Sequence, residues 1–309
     1  MKKNLLLTGV LGASMLALAA CGDDEAGTDE EPAEEPAADV EDEDDEADAD
    51  AEADDTDADD DDAEAAAGDG DDVYSDVAGE TYTIATDNAF VPFAFMDLES
   101  DEMSGFDIEL MTALAEEIGF TPNFQAMEFS GALAGIQSGS YDAAINAMSI
   151  TEERKETIDF SDPYYLDAGI IFAVHESNTD EWSSFEDLDV DGVTISTVQG
   201  TTSHEFLDEN LENATVQTYP EIADAYMNVI QGHNDAVLYD EPNVAYTIEQ
   251  AQDQLVMIGD TLLADDYGIG LPQGHDLLEP LNHALEVLQE NGTYDDLYEE
   301  YFGERPFGT

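Results

Sequence analysis

The run Asn146-Ala147-Met148-Ser149-Ile150-Thr151-Glu152-Glu153-Arg154-Lys155-Glu156-Thr157-Ile158-Asp159-Phe160-Ser161-Asp162-Pro163-Tyr164-Tyr165 decides how the rest of the chain is read. It continues an apolar stretch, Asp142–Met148, that reads as a buried strand. Ser149, with Glu152 three positions on, has the spacing of a capping box and predicts a helix start. Arg154 lies one turn into that helix, where free backbone N–H groups and a guanidinium together suit a carboxylate. The plainer role for Arg154 is a surface pair with Glu152 or Glu156, an interaction that contributes little. Composition weighs against that role. The chain carries 5 Lys plus Arg against 78 Asp plus Glu, and beyond Lys2 and Lys3 its cations are Arg154, Lys155 and Arg305.

Working outward, the formal net charge of −73 disfavours nucleic acid and anionic membrane surfaces as partners. The acidity is not confined to one tail: from Thr81 on there are 47 acidic and 3 basic residues. Such a chain repels itself at low ionic strength. Screening at molar salt makes the charge tolerable, which predicts a salty or strongly alkaline habitat.

Met1 to Ala20 reads as a signal peptide: Lys2 and Lys3, then a mostly apolar Leu5 to Leu18 too short to span a bilayer. Leu18-Ala19-Ala20-Cys21 resembles a lipoprotein lipobox, which predicts a lipid on Cys21 and a chain anchored to the outer side of the cell membrane. An incidental cysteine after an ordinary signal peptide is the alternative. Cys21 is the only cysteine, so no intrachain disulfide forms. Residues 21–78 are rich in Asp, Glu and Ala with almost no large apolar residue before Val73. They read as an extended acidic tether.

The remainder alternates strand and helix patterns. Strands are expected at Tyr82–Thr86, Thr121–Met127, Asp142–Met148, Gly169–Val174, Gly192–Ser196, Ala214–Tyr219, Asp235–Tyr239, Leu255–Ile258 and Tyr267–Leu271. Helices are expected after Gly105, at Phe129–Ile136, after Gly200, at Ile222–Ile230, after Asp240 as cap, at Leu277–Gln289 and at Tyr294–Phe302. Asp87 to Met96 reads as a Phe-rich loop, and the polar His175 to Ser184 suggests a nearby lobe boundary. The alternation implies an α/β fold with mainly parallel sheets. Ligands in such sheets bind at the carboxyl ends of strands, which draws Ser149, Arg154, Thr201, Thr202 and Asp240 toward one cleft. The five histidines show no metal-ligand spacing, and no cofactor motif is present.

The motifs Ala85-Thr86-Asp87-Asn88-Ala89-Phe90-Val91-Pro92-Phe93, Gly105-Phe106-Asp107, Ser149 to Arg154, Asp159 to Tyr165, Gly200-Thr201-Thr202, Tyr267-Gly268-Ile269 and Asn291-Gly292-Thr293-Tyr294 together resemble the bacterial solute-binding proteins of family 3. The resemblance covers about Thr81 to Gly303. Within that family the glutamine-binding members are the most similar. It implies a two-lobed periplasmic-binding-protein fold of type II: lobe one at 81–163 plus 268–309, lobe two at 170–262, and a two-strand hinge at 164–169 and 263–267. It further implies a monomer that delivers a polar amino acid, glutamine first, to an ABC permease.

Matched by position, Arg154 is expected to clamp the ligand α-carboxylate, with Ser149 and Thr202 and the backbone N–H groups near each as further donors and Thr201 counted with them in the ligand-binding set. Asp240, helped by the Ala147 carbonyl, would take the α-ammonium. Phe90 and Phe129 would pack on the aliphatic part, with Tyr239 beside them, and Asp87 would reach the side-chain end. A zwitterion needs such a cation and anion desolvated together. Phe90 and Phe129 as plain core, Asp240 as a cap, and Thr201 and Thr202 as turn residues are the structural alternatives. Tyr164 and Tyr165 read as hinge packing. Val198 stands where the glutamine-binding members have a lysine, and Tyr239 where they have a histidine; the lost cation argues against an acidic ligand such as glutamate. Two other functions compete. One is binding of a compatible solute such as ectoine in an aromatic pocket. The other is a cyclohexadienyl dehydratase-like enzyme, for which Glu128 or Glu241 would supply a pocket acid of raised pKa.

Overall fold

The computed structural model describes residues 73–97, 100, 102–250 and 254–303. The expected signal peptide, Cys21, most of the expected tether and Arg305 lie outside the described residues. The tether was expected to run to Ala78, and here the structure differs. Val77 is 1% exposed in the core, and the Tyr74 hydroxyl lies 2.8 Å from His283 Nδ1. Two apolar side chains in an acidic background are enough to dock this segment.

In chain order the strands are β1 (Thr81–Thr86), β2 (Ala89–Phe90), β3 (Ala94–Asp97), β4 (Glu102–Ser104), β5 (Thr121–Ala126), β6 (Ala143–Ala144), β7 (Ile158–Phe160), β8 (Tyr165–His175), β9 (Thr194–Val198), β10 (Thr215–Tyr219), β11 (Ala236–Asp240), β12 (Leu255–Tyr267) and β13 (Gly270–Pro272). The helices are α1 (Phe106–Ile118), α2 (Phe129–Gln137), α3 (Glu152–Lys155), α4 (Phe185–Leu188), α5 (Thr202–Asn210), α6 (Ile222–Ile230), α7 (Glu241–Gln250), α8 (Leu278–Asn291) and α9 (Thr293–Phe302).

Two five-stranded sheets carry the two lobes, ordered β5-β1-β6-β13-β7 and β10-β9-β11-β8-β12. Each is half parallel and half antiparallel. In the first sheet β1 runs parallel to β5 and β6, while β13 runs antiparallel to β6 and β7. In the second, β9 runs parallel to β10 and β11, while β8 runs antiparallel to β11 and β12. The expectation of mainly parallel sheets is therefore corrected. The parallel half of each lobe comes from helical crossovers. The antiparallel half forms where the chain leaves one lobe and returns to it.

That exchange is made by β8 and β12, which pair from Leu255↔His175 to Tyr267↔Tyr165 with three register shifts. Leu255–Ile258 and Tyr267 were expected in separate strands; they are the two ends of β12. Irregular pairing bends the ribbon where it crosses between lobes. Gly169 is required there, because a Cβ would sit 2.1 Å from Thr261 Cγ2. His175 to Ser184 leads from β8 into α4 and on to β9 of the same sheet; the exchange between lobes lies at the other end of β8. Trp182, without a role in the sequence reading, packs there with Phe172, Val174 and Ile258.

Asp87 to Met96 is not a plain loop: β2, β3 and β4 form a small antiparallel sheet. Gly105 then opens α1 at φ 120°, where a Cβ would strike the Phe93 carbonyl at 2.3 Å. α1 buries Phe106, Leu110, Met111, Leu114 and Ile118 against α8 and α9, each apolar side chain contributing about 1.5–3 kcal/mol. The hinge itself is aromatic: Tyr165 stacks on Tyr267 at 5.5 Å and on Tyr298 at 5.8 Å.

Candidate functional site

The strand expected over Asp142–Met148 keeps only Ala143 and Ala144 in the ladder. Beyond them Ala147 turns into the left-handed region at φ 51°. Its N–H donates to Asp107 Oδ2 at 2.8 Å and to the Tyr164 hydroxyl at 3.1 Å. Asp107 is fully buried, and burial pushes its carboxyl up to about 7 against the hydrogen bonds it accepts from the Tyr164 hydroxyl and the Ala147 N–H. A carboxylate set under a backbone turn thus fixes the segment that leads to Ser149 and Arg154.

The helix start differs from the expected capping box. Thr151, not Ser149, is the N-cap, accepting from Arg154 N at 3.2 Å. Ser149 is held back by its bridge to Tyr267. The helix is only four residues long, so its macrodipole adds little, and the anion-binding argument falls on the guanidinium alone. Arg154 is 5% exposed. Nη1 donates to the Ser149 carbonyl at 2.9 Å, and Nη2 reaches the Gly200 carbonyl of the other lobe at 3.3 Å. Nε is buried without a partner. The Phe129 ring lies beneath Cζ at 5.0 Å, a cation–π contact. The surface pair with Glu152 belongs instead to Lys155, at 2.9 Å. Burial lowers the Arg154 pKa, opposed by the carboxylates of Glu205, Asp240, Asp265 and Glu153.

Across the cleft, Asp240 ends β11 and Thr201 and Thr202 open α5. Asp240 Oδ1 accepts from the Tyr267 hydroxyl at 2.7 Å. Burial raises its carboxyl to about 6, with Tyr267 and Arg154 pulling the other way. The Thr201 hydroxyl accepts from His204 N and donates to the Val198 carbonyl at 2.9 Å. That hydroxyl serves the turn, as the structural alternative had it. Asp87 follows β1, and burial raises it to about 6 although it accepts N–H groups of Ala89 and Asn88. Phe90 sits edge-on to Tyr239 at 5.5 Å and stacks on Phe93.

All ten residues singled out in the sequence line one small cavity of about 10 Å³: Asp87, Phe90, Phe129, Ala147, Ser149, Arg154, Thr201, Thr202, Tyr239 and Asp240. That is about the space of one water, so the lobes are closed upon one another and must part to admit a ligand. Asn146 also lines it and was missed. Its two amide atoms are buried without a partner, and a lone amide in the apolar run Ala143–Met148 was the available signal. Asp107 and Tyr267 were quoted only as parts of motifs. The lobes meet at the cavity through Arg154 to Gly200, and beside it through Asn243 Nδ2 to the Val91 carbonyl at 2.5 Å. Glu128 and Glu241 are not part of the lining; Glu128 is exposed, and Glu241 accepts from the Thr261 hydroxyl at 2.7 Å. Among the described residues no group of three or more His, Cys, Asp or Glu is gathered as for a metal ion, and no helix is long and apolar enough to cross a membrane.

Residues 82–304 match the family model of bacterial extracellular solute-binding proteins, family 3. The L-cystine-binding protein of Escherichia coli K12 is 29% identical over 224 residues, covering 72% of this chain and 83% of its own. The glutamine-binding protein of Bacillus subtilis is 29% identical over 218 residues, covering 69% and 78%. A solved ancestral arginine-binding protein bound to glutamine is 36% identical with a TM-score of 0.68, covering 72% of this chain and 98% of that one. With two α/β lobes, a two-strand hinge and a cleft between them, the chain belongs to the family 3 extracellular solute-binding proteins and has their type II periplasmic-binding fold.

Proposed function

We propose that the chain is the substrate-binding component of an ABC transporter and captures a polar amino acid in the cavity between its lobes. The observation that carries this reading is the charge pattern of the lining. One buried cation, Arg154, and one buried anion, Asp240, lie on opposite walls, a complement to an α-carboxylate and an α-ammonium. Asn146 and Arg154 Nε supply polar atoms with no protein partner, which a bound zwitterion would satisfy. Ser149, Thr202 and the Ala147 carbonyl complete the polar set, and Phe90, Phe129 and Tyr239 flank the aliphatic part. The lobe limits given above, with closure about 164–169 and 263–267, belong to this reading. So do a monomer, a lipid on Cys21, a permease partner at the outer face of the membrane and a salt-adapted surface.

Asp87 sets the side-chain preference. A glutamine amide can donate to this carboxyl, and glutamine remains our first candidate. A cationic side chain such as that of arginine would pair with it as an ion, and the similarity to cystine- and arginine-binding proteins keeps those ligands in the test. Calorimetric titration with L-glutamine, L-arginine, L-cystine and ectoine names the ligand. The pH dependence separates the first two. Below about pH 6, glutamine binding requires loss of one proton, from Asp240, and weakens about tenfold per pH unit. Arginine binding requires loss of two, from Asp240 and Asp87, and weakens about a hundredfold. Tight binding of ectoine alone would replace the zwitterion reading with an aromatic pocket. The dehydratase reading loses Glu128 and Glu241 as pocket acids. It keeps Asp87 and Asp240 as carboxyls of raised pKa, and formation of phenylpyruvate from prephenate by the purified chain tests it.

A further inference from the structure

We propose that Tyr267 is a positioning residue for ligand capture: its hydroxyl orients the Asp240 carboxylate and keeps it ionised, so that one oxygen is held and the other is presented to the cavity. The inference rests on the reading of Asp240 as the ammonium site. Tyr267 is the last residue of β12, at the point where the hinge ribbon enters the first lobe. Its backbone is fastened to that lobe. The carbonyl accepts from Tyr164 N at 2.9 Å, and the residue bridges Ser149, itself part of the cavity lining. The neighbouring Ile150 N–H donates to the Asp266 carbonyl, and Gly268 N–H donates to the Met148 carbonyl. The ring is fully buried, stacked on Tyr165 and edge-on to Phe93 at 5.5 Å. From this fixed base the hydroxyl reaches across to Asp240 Oδ1 at 2.7 Å. One side chain therefore joins the hinge, the wall of the first lobe and the anionic group of the second.

The other groups facing Asp240 do not replace this donor. The backbone N–H of Asp240 itself also donates to the carboxylate but is fixed to its own strand; Arg154 on α3 and Asp265 on β12 act at longer range with opposite sign, and Tyr226 on α6 and Tyr239 on β11 also lie within its field. A buried carboxylate that loses a donor takes up a proton more readily. A protonated Asp240 cannot counter an ammonium. The Tyr267 hydroxyl opposes that protonation while leaving the carboxylate open on the cavity side. It also fixes the carboxylate plane with an atom on the hinge, so the ammonium site is built before a ligand arrives.

Tyr267→Phe keeps the ring and removes only the donor. The experiment measures Kd from about pH 5 to about pH 9 for the full-length wild type, Tyr267→Phe and Asp240→Asn, with L-glutamine and L-arginine as probes. The expected result for Tyr267→Phe is about tenfold weaker binding at high pH, with the acid decline beginning about one pH unit higher than in wild type. A lost packing contact would weaken binding equally at every pH, and an unmoved profile overturns the inference. If Asp240→Asn loses affinity while Tyr267→Phe matches wild type, the inference alone falls. If Asp240→Asn keeps full affinity, or neither probe binds the wild type, the amino-acid reading falls and takes the inference with it. Should Tyr267→Phe not fold, the ring Cζ carbon of Tyr267 is followed by NMR in the labelled wild-type chain. A signal that moves with the titration of Asp240 supports the inference; one that ignores pH between about 5 and 8 overturns it.

Discussion

Arg154 and Lys155 are adjacent on the same four-residue helix, yet they belong to different electrostatic worlds. Lys155 is 48% exposed and pairs with Glu152, itself 92% exposed. Arg154 is 5% exposed, has no carboxylate within ion-pair distance among the described residues, and keeps Nε without a partner. The surface is crowded with acids that could neutralise any cation, but the fold keeps one away from them. What the difference teaches is that the charge of Arg154 is reserved. Two backbone carbonyls and the Phe129 ring hold it in place, and its hydrogen-bonding capacity is not exhausted by them.

The largest effect should come from removing the interior cation. Arg154→Ala is expected to weaken amino-acid binding by at least a hundredfold in calorimetry, about 3 kcal/mol or more, with the circular dichroism spectrum unchanged. Asp240→Asn should follow, with about thirtyfold or greater loss, because a buried ammonium would lose its counter-charge. Retained affinity in either variant breaks the contrast between the cavity and the surface.

Lowering the pH should divide binding from stability. Asp87 and Asp240, at about 6, and Asp107, at about 7, all stand above the ordinary carboxylate value. Between those values and about pH 4 the native chain holds protons that the unfolded chain releases. Ligand-free stability should therefore rise as pH falls from about 8 to 5, while affinity falls. Melting curves and titrations on the same samples check both signs, and a parallel fall of the two would contradict the assignment. Salt should act on the exterior. Going from about 0.1 M to about 1 M shortens the screening length from about 10 Å to 3 Å and should raise the melting temperature of this acidic chain. Smallest of all, Lys155→Gln is expected to leave Kd within about twofold, since an exposed pair contributes at most about 1 kcal/mol to stability and none of it to the cavity.

Much of the fold was legible because it is written locally. Ile222–Ile230 shows its helical face in the sequence, and Gly105 and Gly119 punctuate α1. Ser149, Arg154, Thr201, Thr202 and Asp240 were legible from motifs at strand ends, whereas Asp87, Phe90, Phe129, Ala147 and Tyr239 came only from the family resemblance; all ten came together. What escaped depends on partners distant in sequence. Asp107 serves Ala147 forty positions away, and Tyr267 serves Asp240 across 27. No local pattern distinguishes such a tyrosine from hinge packing. The cap moved from Ser149 to Thr151 because Tyr267 ties Ser149 into a bridge, again a long-range contact. The antiparallel halves of the sheets likewise follow from where the chain crosses between lobes, which strand propensity does not report.

The central claim is that Arg154 holds an α-carboxylate. The most direct measurement is a thermal-shift panel of the common amino acids on the full-length chain, repeated with the α-carboxamide of any that binds. A ligand at about 100 times its Kd stabilises the native state by about 2.7 kcal/mol, enough to move the melting temperature visibly. The account predicts a clear shift with at least one polar amino acid and none with its carboxamide, which has no anionic group for the guanidinium. An equal shift with the carboxamide, or no shift with any amino acid, would contradict it.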